Sequence, residues 1–331
     1  MIKNILRSRL PLRLKILAVL EGLVSACLPQ IRQLETSSQP QPTGKRFCVF
    51  AHFDRSKRVD PHVFHHLRAL KALDCDIIFV SSCKCLPDAD REQILTLCHK
   101  LILRRNIGYD FGSYRAGLEQ LNPQHSYKQI LLVNDSVYGP IHDLKPIFEA
   151  FERQSVDLWS ITDSYEHEYH LQSYFLVFNR AAWEHPRMQK FWKRFWYVKS
   201  KKAAIQLYEI GLSRTAKDAH LRQAAWCDYS TLTPLMLKKV EAKLTATFDP
   251  PLPEMEKRRL EHLLDTTLGH RRNISHYYWD YLIQDHDCPY LKVELLRDNP
   301  VRVPNVIFYR DILRDLYPHA LIDDHLRRSG N

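Results

Sequence analysis

Polar residues follow four short apolar segments of the chain, and they include the side chains that bind phosphate and transfer protons. The apolar segments are residues 47–51, 76–80, 101–103 and 130–133. Arginine pairs with phosphate oxygens, imidazole and carboxylate groups exchange protons, and glycine lets a backbone approach a ligand. The pattern indicates an anionic, nucleotide-containing ligand. The residues that we expect to contact it are His52, Asp54, Ser81, Arg105, Asn106, Gly108, Asp110, Gly112, Asn134, Asp135 and Ser136.

Stretches of helical periodicity separate these apolar segments, near residues 61–73 and 88–99 and again after Phe111. Short apolar strands that alternate with helices predict an α/β fold, with a mainly parallel sheet and helices on both faces. Ligands of such sheets bind beyond the carboxyl ends of the strands, so the polar residues should meet at one edge. The structural alternative at each of these positions is a turn or a helix cap.

The composition excludes several classes of protein. With 331 residues, of which 45% are hydrophobic and 26% charged, the chain can bury a large core, which argues against a disordered protein. Its longest apolar runs fall far short of the ~20 residues that span a bilayer. The eight cysteines are scattered and follow no signal peptide, so we expect reduced thiols in the cytoplasm.

The basic excess lies mainly in residues 1–46, which hold eight basic and two acidic side chains. A basic amphipathic helix within residues 1–28, lying on an anionic membrane surface, is the functional prediction. The alternative is a helix packed on the domain or on a second subunit. Because the excess is not spread over a broad face, we expect no nucleic-acid partner. The apolar residues at helical spacing are Ile16, Leu17, Leu20, Leu23, Val24 and Cys27.

Two proline-containing segments, residues 36–44 and 249–253, divide the chain. We therefore predict three parts. Residues 1–44 form the membrane-surface helix and a linker, and residues 45–250 form the ligand-binding domain. Residues 251–331 form a helical C-terminal extension packed on that domain.

Seven segments, in unbroken order between residues 47 and 300, resemble the rhamnan synthesis protein F family. Its members are glycosyltransferases of bacterial surface polysaccharide synthesis that use nucleotide sugars such as dTDP-rhamnose. The resemblance implies a single nucleotide-binding (GT-A-like) domain that transfers a rhamnose-like deoxysugar to a lipid-linked polysaccharide of the O-antigen or rhamnan type. It also implies a place on the inner face of the bacterial cytoplasmic membrane. The matching segments are residues 51–54, 105–114, 130–140, 159–163, 170–175, 208–212 and 292–300.

Residues 134–136 resemble the Asp-x-Asp motif with which many such transferases hold Mg²⁺ or Mn²⁺. Only the middle residue, Asp135, is acidic, and hard cations usually want more oxygen ligands. The resemblance therefore leaves metal dependence open, with Asp135 as the candidate ligand. Without a metal, Arg105, Lys292, Arg297 or histidines would neutralise the departing phosphate.

The resemblance also supplies candidates for the catalytic base and for sugar contacts. Residues 208–214 resemble the segment in which inverting transferases of this kind keep their base, so Glu209 is the first candidate. Asp163 is the second candidate, and the alternative for Glu209 is a solvated helical carboxylate. His170 and Gln172 are assigned to sugar or acceptor contacts.

A second class of function keeps the transferase fold without its activity. Such a protein would be a non-catalytic, membrane-associated scaffold of polysaccharide assembly. Release of nucleoside diphosphate from a nucleotide sugar separates the two classes, because a scaffold releases none above background.

Overall fold

The computed structural model describes residues 2–26, 28–38, 45–122, 124–247, 251–268 and 273–330. Cys27, most of the predicted linker (residues 39–44) and Asp249 lie outside the described residues. Eleven strands are found in the described part: β1 (Ile31–Thr36), β2 (Arg46–His52), β3 (Cys75–Ser81), β4 (Lys100–Arg104), β5 (Gln129–Asn134), β6 (Val137–Tyr138), β7 (Leu158–Ser164), β8 (His170–Leu171), β9 (Phe175–Asn179), β10 (Gln223–Cys227) and β11 (Leu291–Lys292).

Helices connect the strands and make up most of the two ends of the chain. The π-helix Ile205–Glu209 runs into an α-helix, and a 3₁₀-helix spans Pro304–Phe308. The α-helices are α1 (Ile2–Arg7), α2 (Leu12–Ala26), α3 (Pro61–Ala72), α4 (Asp88–Leu97), α5 (Tyr109–Leu118), α6 (Lys145–Arg153), α7 (Arg180–Glu184), α8 (Pro186–Lys193), α9 (Lys201–Ala204), α10 (Ile210–Asp218), α11 (Tyr229–Thr245), α12 (Glu254–Leu268), α13 (Ile274–Tyr277), α14 (Trp279–His286), α15 (Val293–Asp298), α16 (Tyr309–Leu313) and α17 (Ala320–Ser329).

One sheet organises the molecule, with strand order β1-β4-β3-β2-β5-β9-β7-β10 and β8 paired with β7. Strands β4, β3, β2 and β5 run parallel, and they correspond to the four apolar segments of the sequence. Strand β9 lies antiparallel between β5 and β7, while β1 adds an antiparallel edge beside β4. The predicted α/β class with a mainly parallel sheet is therefore confirmed.

The apolar segments form strands because helices cover both faces of the sheet. Cys48 and Phe50 of β2 face one apolar cluster, which includes Leu67 of α3. Val49 and Ala51 face the other cluster, together with residues of α5, α8 and α10. A strand buried on both faces reads as an unbroken apolar run, which is the pattern that the sequence shows.

The C-terminal helices pack on the sheet instead of forming a separate body. Ile274, Tyr278 and Leu282 belong to the same apolar cluster as Phe175 of β9. In addition, β11 pairs antiparallel with β6, which follows the carboxyl end of β5. The C-terminal residues thereby reach the sheet edge at which the polar residues were expected to meet.

The predicted apolar stripe of α2 faces outward. The exposed fraction of Ile16 is 53% and that of Val24 is 64%, whereas Ala18 and Ser25 on another face are buried. In the described part of the chain, no helix is long and apolar enough to cross a membrane. The described residues of the chain thus leave most of this stripe exposed.

We predict that Gly117→Ala in α5 destabilises the protein by about 1–2 kcal/mol. An added Cβ would overlap the side chain of Val49 on the central strand. Overpacking in a dense core costs about 1–3 kcal/mol, which outweighs the gain of about 1 kcal/mol from alanine in a helix. Urea unfolding measures the change. Glu119→Ala at the exposed end of the same helix is the control, and equal stabilities of the two variants would contradict the prediction.

Candidate functional site

The carboxyl ends of β2 and β5 border a cavity of about 850 Å³. The C-terminal segment closes it from the other side, because β11 pairs with β6 and Val293 donates its N–H to Ser136 O at 2.9 Å. Most of the residues predicted from the sequence line this cavity. They are His52, Asp54, Asp110, Asn134, Asp135, Ser136, His170, Gln172, Glu209, Lys292 and Arg297.

Carboxylates crowd the edge of the sheet. Asp110, at the start of α5, accepts a hydrogen bond from Asn134 Nδ2 at 2.8 Å, and burial raises its pKa to about 6. Asp135 accepts the N–H of Phe53 at 2.8 Å. Burial, reinforced by the nearby charge of Asp110, raises the pKa of Asp135 well above its ordinary value. Ionisation of both carboxyl groups is therefore unfavourable at this edge, and a cation bound beside them would stabilise their charged forms.

Glu209 ends the π-helix and is held by the backbone and side chain of one residue. Ser173 donates its N–H at 3.2 Å and its hydroxyl at 2.6 Å, both to Glu209 Oε1. Among the described residues, Oε2 has no hydrogen-bond donor and is available to a ligand. A π-helical turn is an uncommon element that often marks functional sites. The carboxylate is thus fixed at the cavity wall with one oxygen unoccupied.

Lys292 supplies the positive charge that faces this edge. Its Nζ lies 4.3 Å from the centroid of the Tyr174 ring, a cation–π contact. Burial lowers the pKa of Lys292, while the charges of Glu209, Glu294 and Asp110 oppose that shift. The lysine therefore stands among three carboxylates, whose negative charge it partly offsets.

Histidine 52 is neutral in this site. Its Nδ1 lies 3.0 Å from Ser81 Oγ, and its Nε2 lies 4.0 Å from Asp135 Oδ2. Burial lowers the pKa of His52 to about 4. Ser81 is fully buried behind the histidine, so it orients His52 and does not itself line the cavity.

His170 and Gln172 join the sheet domain to the rest of the cavity wall. His170 Nδ1 lies 2.8 Å from the carbonyl oxygen of Glu168. Gln172 donates its side-chain N–H to Asn273 Oδ1 at 2.8 Å, so it links the segment before β9 to α13. Both side chains are nearly buried, which restricts them to one orientation.

Besides Ser81, four predicted ligand contacts lie outside the cavity. Arg105 donates to Pro29 O at 3.0 Å and thereby fixes the chain between α2 and β1, and Asn106 is exposed. A Cβ at Gly112 would meet Arg104, and one at Gly108 would meet Tyr197. The glycines allow close packing at these positions and do not bring backbone to a ligand.

The buried arginine of this segment is Arg104 and not Arg105. Its guanidinium donates to Ser113 Oγ at 3.0 Å and to Ser82 Oγ at 3.2 Å, and burial lowers its pKa to about 10. Arg104 is the last residue of β4, and neighbouring side chains of a strand point to opposite faces. It therefore braces the strand end from within the fold.

Asp163, the second candidate for the base, lies away from the cavity. It is fully buried, and its Oδ1 accepts the N–H of Tyr229 at 2.8 Å at the start of α11. Burial, together with Asp228, raises the pKa of Asp163 to about 7. This geometry gives Asp163 a structural role at a helix N-terminus and leaves Glu209 as the carboxylate at the cavity.

Several cavity residues were missed by the sequence reading. Asp60 follows β2, Glu294 follows β11, and His325 and Arg328 lie on α17. His276 Nε2 lies 3.2 Å from Glu294 Oε1, and this contact lowers the pKa of Glu294 to about 2. Glu294 could have been found from the sequence, since it lies two residues after Lys292. The others gave no sequence signal, because only tertiary packing brings them to the cavity.

The predicted metal ligand, Asp135, belongs to no cluster of three metal-ligating side chains among the described residues. Asn134 Oδ1 already accepts from the N–H and the hydroxyl of Ser136, at 3.1 and 2.6 Å. Within the described residues, the side chains that do bring metal-ligand atoms within 4.8 Å of one another are Asp54, Asp60 and His325. The residues around Asp135 therefore do not fit a divalent cation by themselves.

We predict that Asp163→Asn stabilises the protein relative to wild type, and that this advantage is larger at pH 8 than at pH 4.5. The pKa of Asp163 is about 7 in the folded state, above its ordinary 3.8. The folded wild-type protein therefore loses stability as the pH rises between these two values. Asparagine keeps the acceptor for Tyr229 and removes the titration, so its advantage should grow by something on the order of 3 kcal/mol. Urea unfolding at several pH values measures this. A constant difference between variant and wild type would contradict it.

Residues 77–241 match the family model described as rhamnan synthesis protein F. The match confirms the family resemblance that the sequence motifs indicated. It covers strands β3 to β10 of the sheet, and it includes Asp110, Asp135 and Glu209.

Two curated proteins are similar to the chain. The virulence protein VirA of Vibrio anguillarum is 31% identical over 215 residues, which is 63% of this chain and 66% of that protein. The uncharacterized protein y4gN of Sinorhizobium fredii is 29% identical over 157 residues, which is 46% of this chain and 41% of that protein. The matches thus span two thirds of these relatives or less.

Among solved structures, the crystal structure of S. aureus TarS 1-349 is similar at 13% identity and a TM-score of 0.35. The alignment covers 86% of this chain and 92% of that chain. A TM-score this low does not establish a common fold, so the fold rests on the topology of the chain itself.

Proposed function

We propose that this chain, whose residues 77–241 belong to the rhamnan synthesis protein F family, is a glycosyltransferase of bacterial surface polysaccharide synthesis. The donor would be a nucleotide sugar, with a rhamnose-like deoxysugar favoured, and the acceptor a growing polysaccharide of the O-antigen or rhamnan type. The family match carries the proposal. The cavity of about 850 Å³ at the sheet edge supports it, since ligand sites commonly measure ~300–1,000 Å³.

Lys292 is the proposed contact for the departing diphosphate. Sugar transfer leaves negative charge on that group, and a fixed cation in a buried site stabilises it. Lys292 lies beside Tyr174 and faces Glu209 and Asp110, so it is held in place before a ligand arrives. Arg297, which is paired with Asp298 at the cavity rim, is the second proposed cation.

Glu209 is the proposed base that removes the proton of the acceptor hydroxyl. Ser173 donates to Oε1, and no described residue donates to Oε2, which can therefore accept a proton as a base must. Direct attack by the deprotonated hydroxyl on the sugar carbon would invert its configuration. His170 and Gln172 are proposed to contact the sugar or the acceptor.

Glu209→Gln should lower the rate of transfer by about 10²–10⁴-fold, the usual contribution of a general base, and leave donor binding unchanged. The amide keeps the acceptor atom for Ser173 but takes up no proton. Transfer is measured as nucleoside diphosphate release with acceptor present, and donor binding by calorimetry. Asp163→Asn is the matched control, and its turnover should stay near wild type. Near-normal turnover of Glu209→Gln would remove Glu209 from this role.

The exposed stripe of α2 is proposed to lie on the anionic inner face of the cytoplasmic membrane. Arg9, in the segment before α2, donates its N–H to Gln206 Oε1 at 3.2 Å and its side chain to His167 O at 3.3 Å. His167 lines the cavity. These hydrogen bonds connect the segment before the apolar stripe to the cavity rim. This arrangement supports an acceptor that is itself anchored in lipid.

Replacing Ile16, Leu20 and Leu23 together by serine should weaken binding to vesicles with anionic lipid by at least about tenfold. The side chains are exposed, so the fold should persist. Leu235→Ser, at an exposed leucine of α11, is the control in the same co-sedimentation assay. Equal binding by both variants would contradict the proposal. Point variants are needed because deleting residues 1–40 would also remove β1 from the sheet.

A non-catalytic scaffold is the second candidate function. The observation that favours it is the departure from Asp-x-Asp at residues 134–136, with the oxygen of Asn134 already occupied by Ser136. Wild-type protein that binds a nucleotide sugar but releases no nucleoside diphosphate, with native acceptor present, would support the scaffold.

A further inference from the structure

Three metal-binding side chains meet at one end of the cavity. Asp54 and Asp60 follow β2, and His325 comes from α17, more than 260 residues later. Their ligand atoms all lie within 4.8 Å of one another. Two carboxylates and an imidazole form a mixed oxygen and nitrogen set, which suits a cation such as Mn²⁺ better than Ca²⁺ or a thiolate-seeking metal.

His325 is oriented as a metal ligand would be. Its Nδ1 lies 2.7 Å from the hydroxyl of Tyr138, which is fully buried. Its Nε2 lies 3.9 Å from Asp60 Oδ2. Metal-binding histidines usually engage their second ring nitrogen in this way, because the hydrogen bond fixes the ring orientation.

His62 gives an independent sign of a ligand at this place. Its side chain is 3% exposed and lines the cavity, with its ring centroid 4.6 Å from that of His325. Among the described residues, its Nδ1 has no hydrogen-bond partner. A buried polar atom without a partner is uncommon, and a bound ion or water is a usual reason for one.

Arg328 is the cation that these carboxylates hold in the ligand-free chain. It donates to Asp54 Oδ1 at 3.1 Å and to Asp54 Oδ2 at 2.8 Å, and to both oxygens of Asp60. Burial alone would raise the pKa of Asp54, but the hydrogen bonds from Arg328 hold it below its ordinary value. Both carboxylates thus already contact one cation, the guanidinium of Arg328.

We propose that Asp54, Asp60 and His325 form a divalent-cation site, and that Arg328 and the metal compete for its two carboxylates. Binding of the metal exchanges one cation for another, so the charge of the carboxylate pair stays compensated. The released guanidinium remains at the cavity wall, where it can pair with phosphate oxygens. This site does not use Asp135 as a ligand, and metal binding is measured without any transfer reaction, so its failure would leave the proposed function standing.

The test is a Mn²⁺ titration of the full chain, without nucleotide, followed by electron paramagnetic resonance. Arg328→Gln should bind Mn²⁺ at least about tenfold more tightly than wild type, because the competing cation is gone. Adding Asp60→Asn to that variant should abolish the tight site, and adding His325→Gln should remove the nitrogen coupling from the spectrum. Asp285→Asn, which removes the partner of Lys239 outside the cavity, is the control.

Two outcomes would overturn the site. One is that folded Arg328→Gln binds Mn²⁺ no more tightly than wild type. The other is that tight binding survives the loss of Asp60. If Arg328→Gln does not fold, Arg328→Lys replaces it, because lysine lacks the planar fork that reaches both carboxylates. An intermediate gain in Mn²⁺ affinity is then expected, and no gain would again overturn the proposal.

Discussion

The cavity depends on one short contact, the antiparallel pairing of β11 with β6. Leu291 pairs with Tyr138 and Lys292 with Val137, directly after the central strand β5 ends. This pairing sets Lys292 opposite Asp110 and Glu209, and it brings the later helices, including α17, to the same edge. Without it the carboxylates of the sheet domain would lose the lysine that faces Glu209 and Asp110. The binding edge is thus built from two parts of the chain that are distant in sequence.

Much of the fold follows from the sequence because its central strands are buried on both faces. Strands β2 to β5 contain unbroken apolar runs, so their existence and their parallel direction could be predicted. Strand β1 could not, since it is a largely exposed edge strand with polar residues among its apolar ones. The insertion of β9 between β5 and β7 also leaves no local signal, because pairing order is a property of the whole sheet.

The candidate site was partly predictable for the same reason. Residues directly after a buried strand, such as His52 and Asp135, fall at its carboxyl end whatever the rest of the chain does. A shift of one residue is enough to mislead, as Arg104 and Arg105 show, because alternate side chains of a strand face opposite sides. Asp60, His325 and Arg328 could not be joined from sequence, since only packing of α17 places them together. Packing likewise assigns Asp163 to a helix N-terminus and leaves Glu209 at the cavity.

The central claim is that a nucleotide sugar binds at the edge where β2 and β5 end and β11 closes the cavity. Hydrogen–deuterium exchange with and without a bound nucleotide sugar tests it directly, since binding slows exchange in the segments that contact the ligand. The account predicts slowed exchange in residues 52–60, 134–138 and 291–294. Slowed exchange instead around the second cavity, which is lined by Lys45 and Lys128, would contradict it.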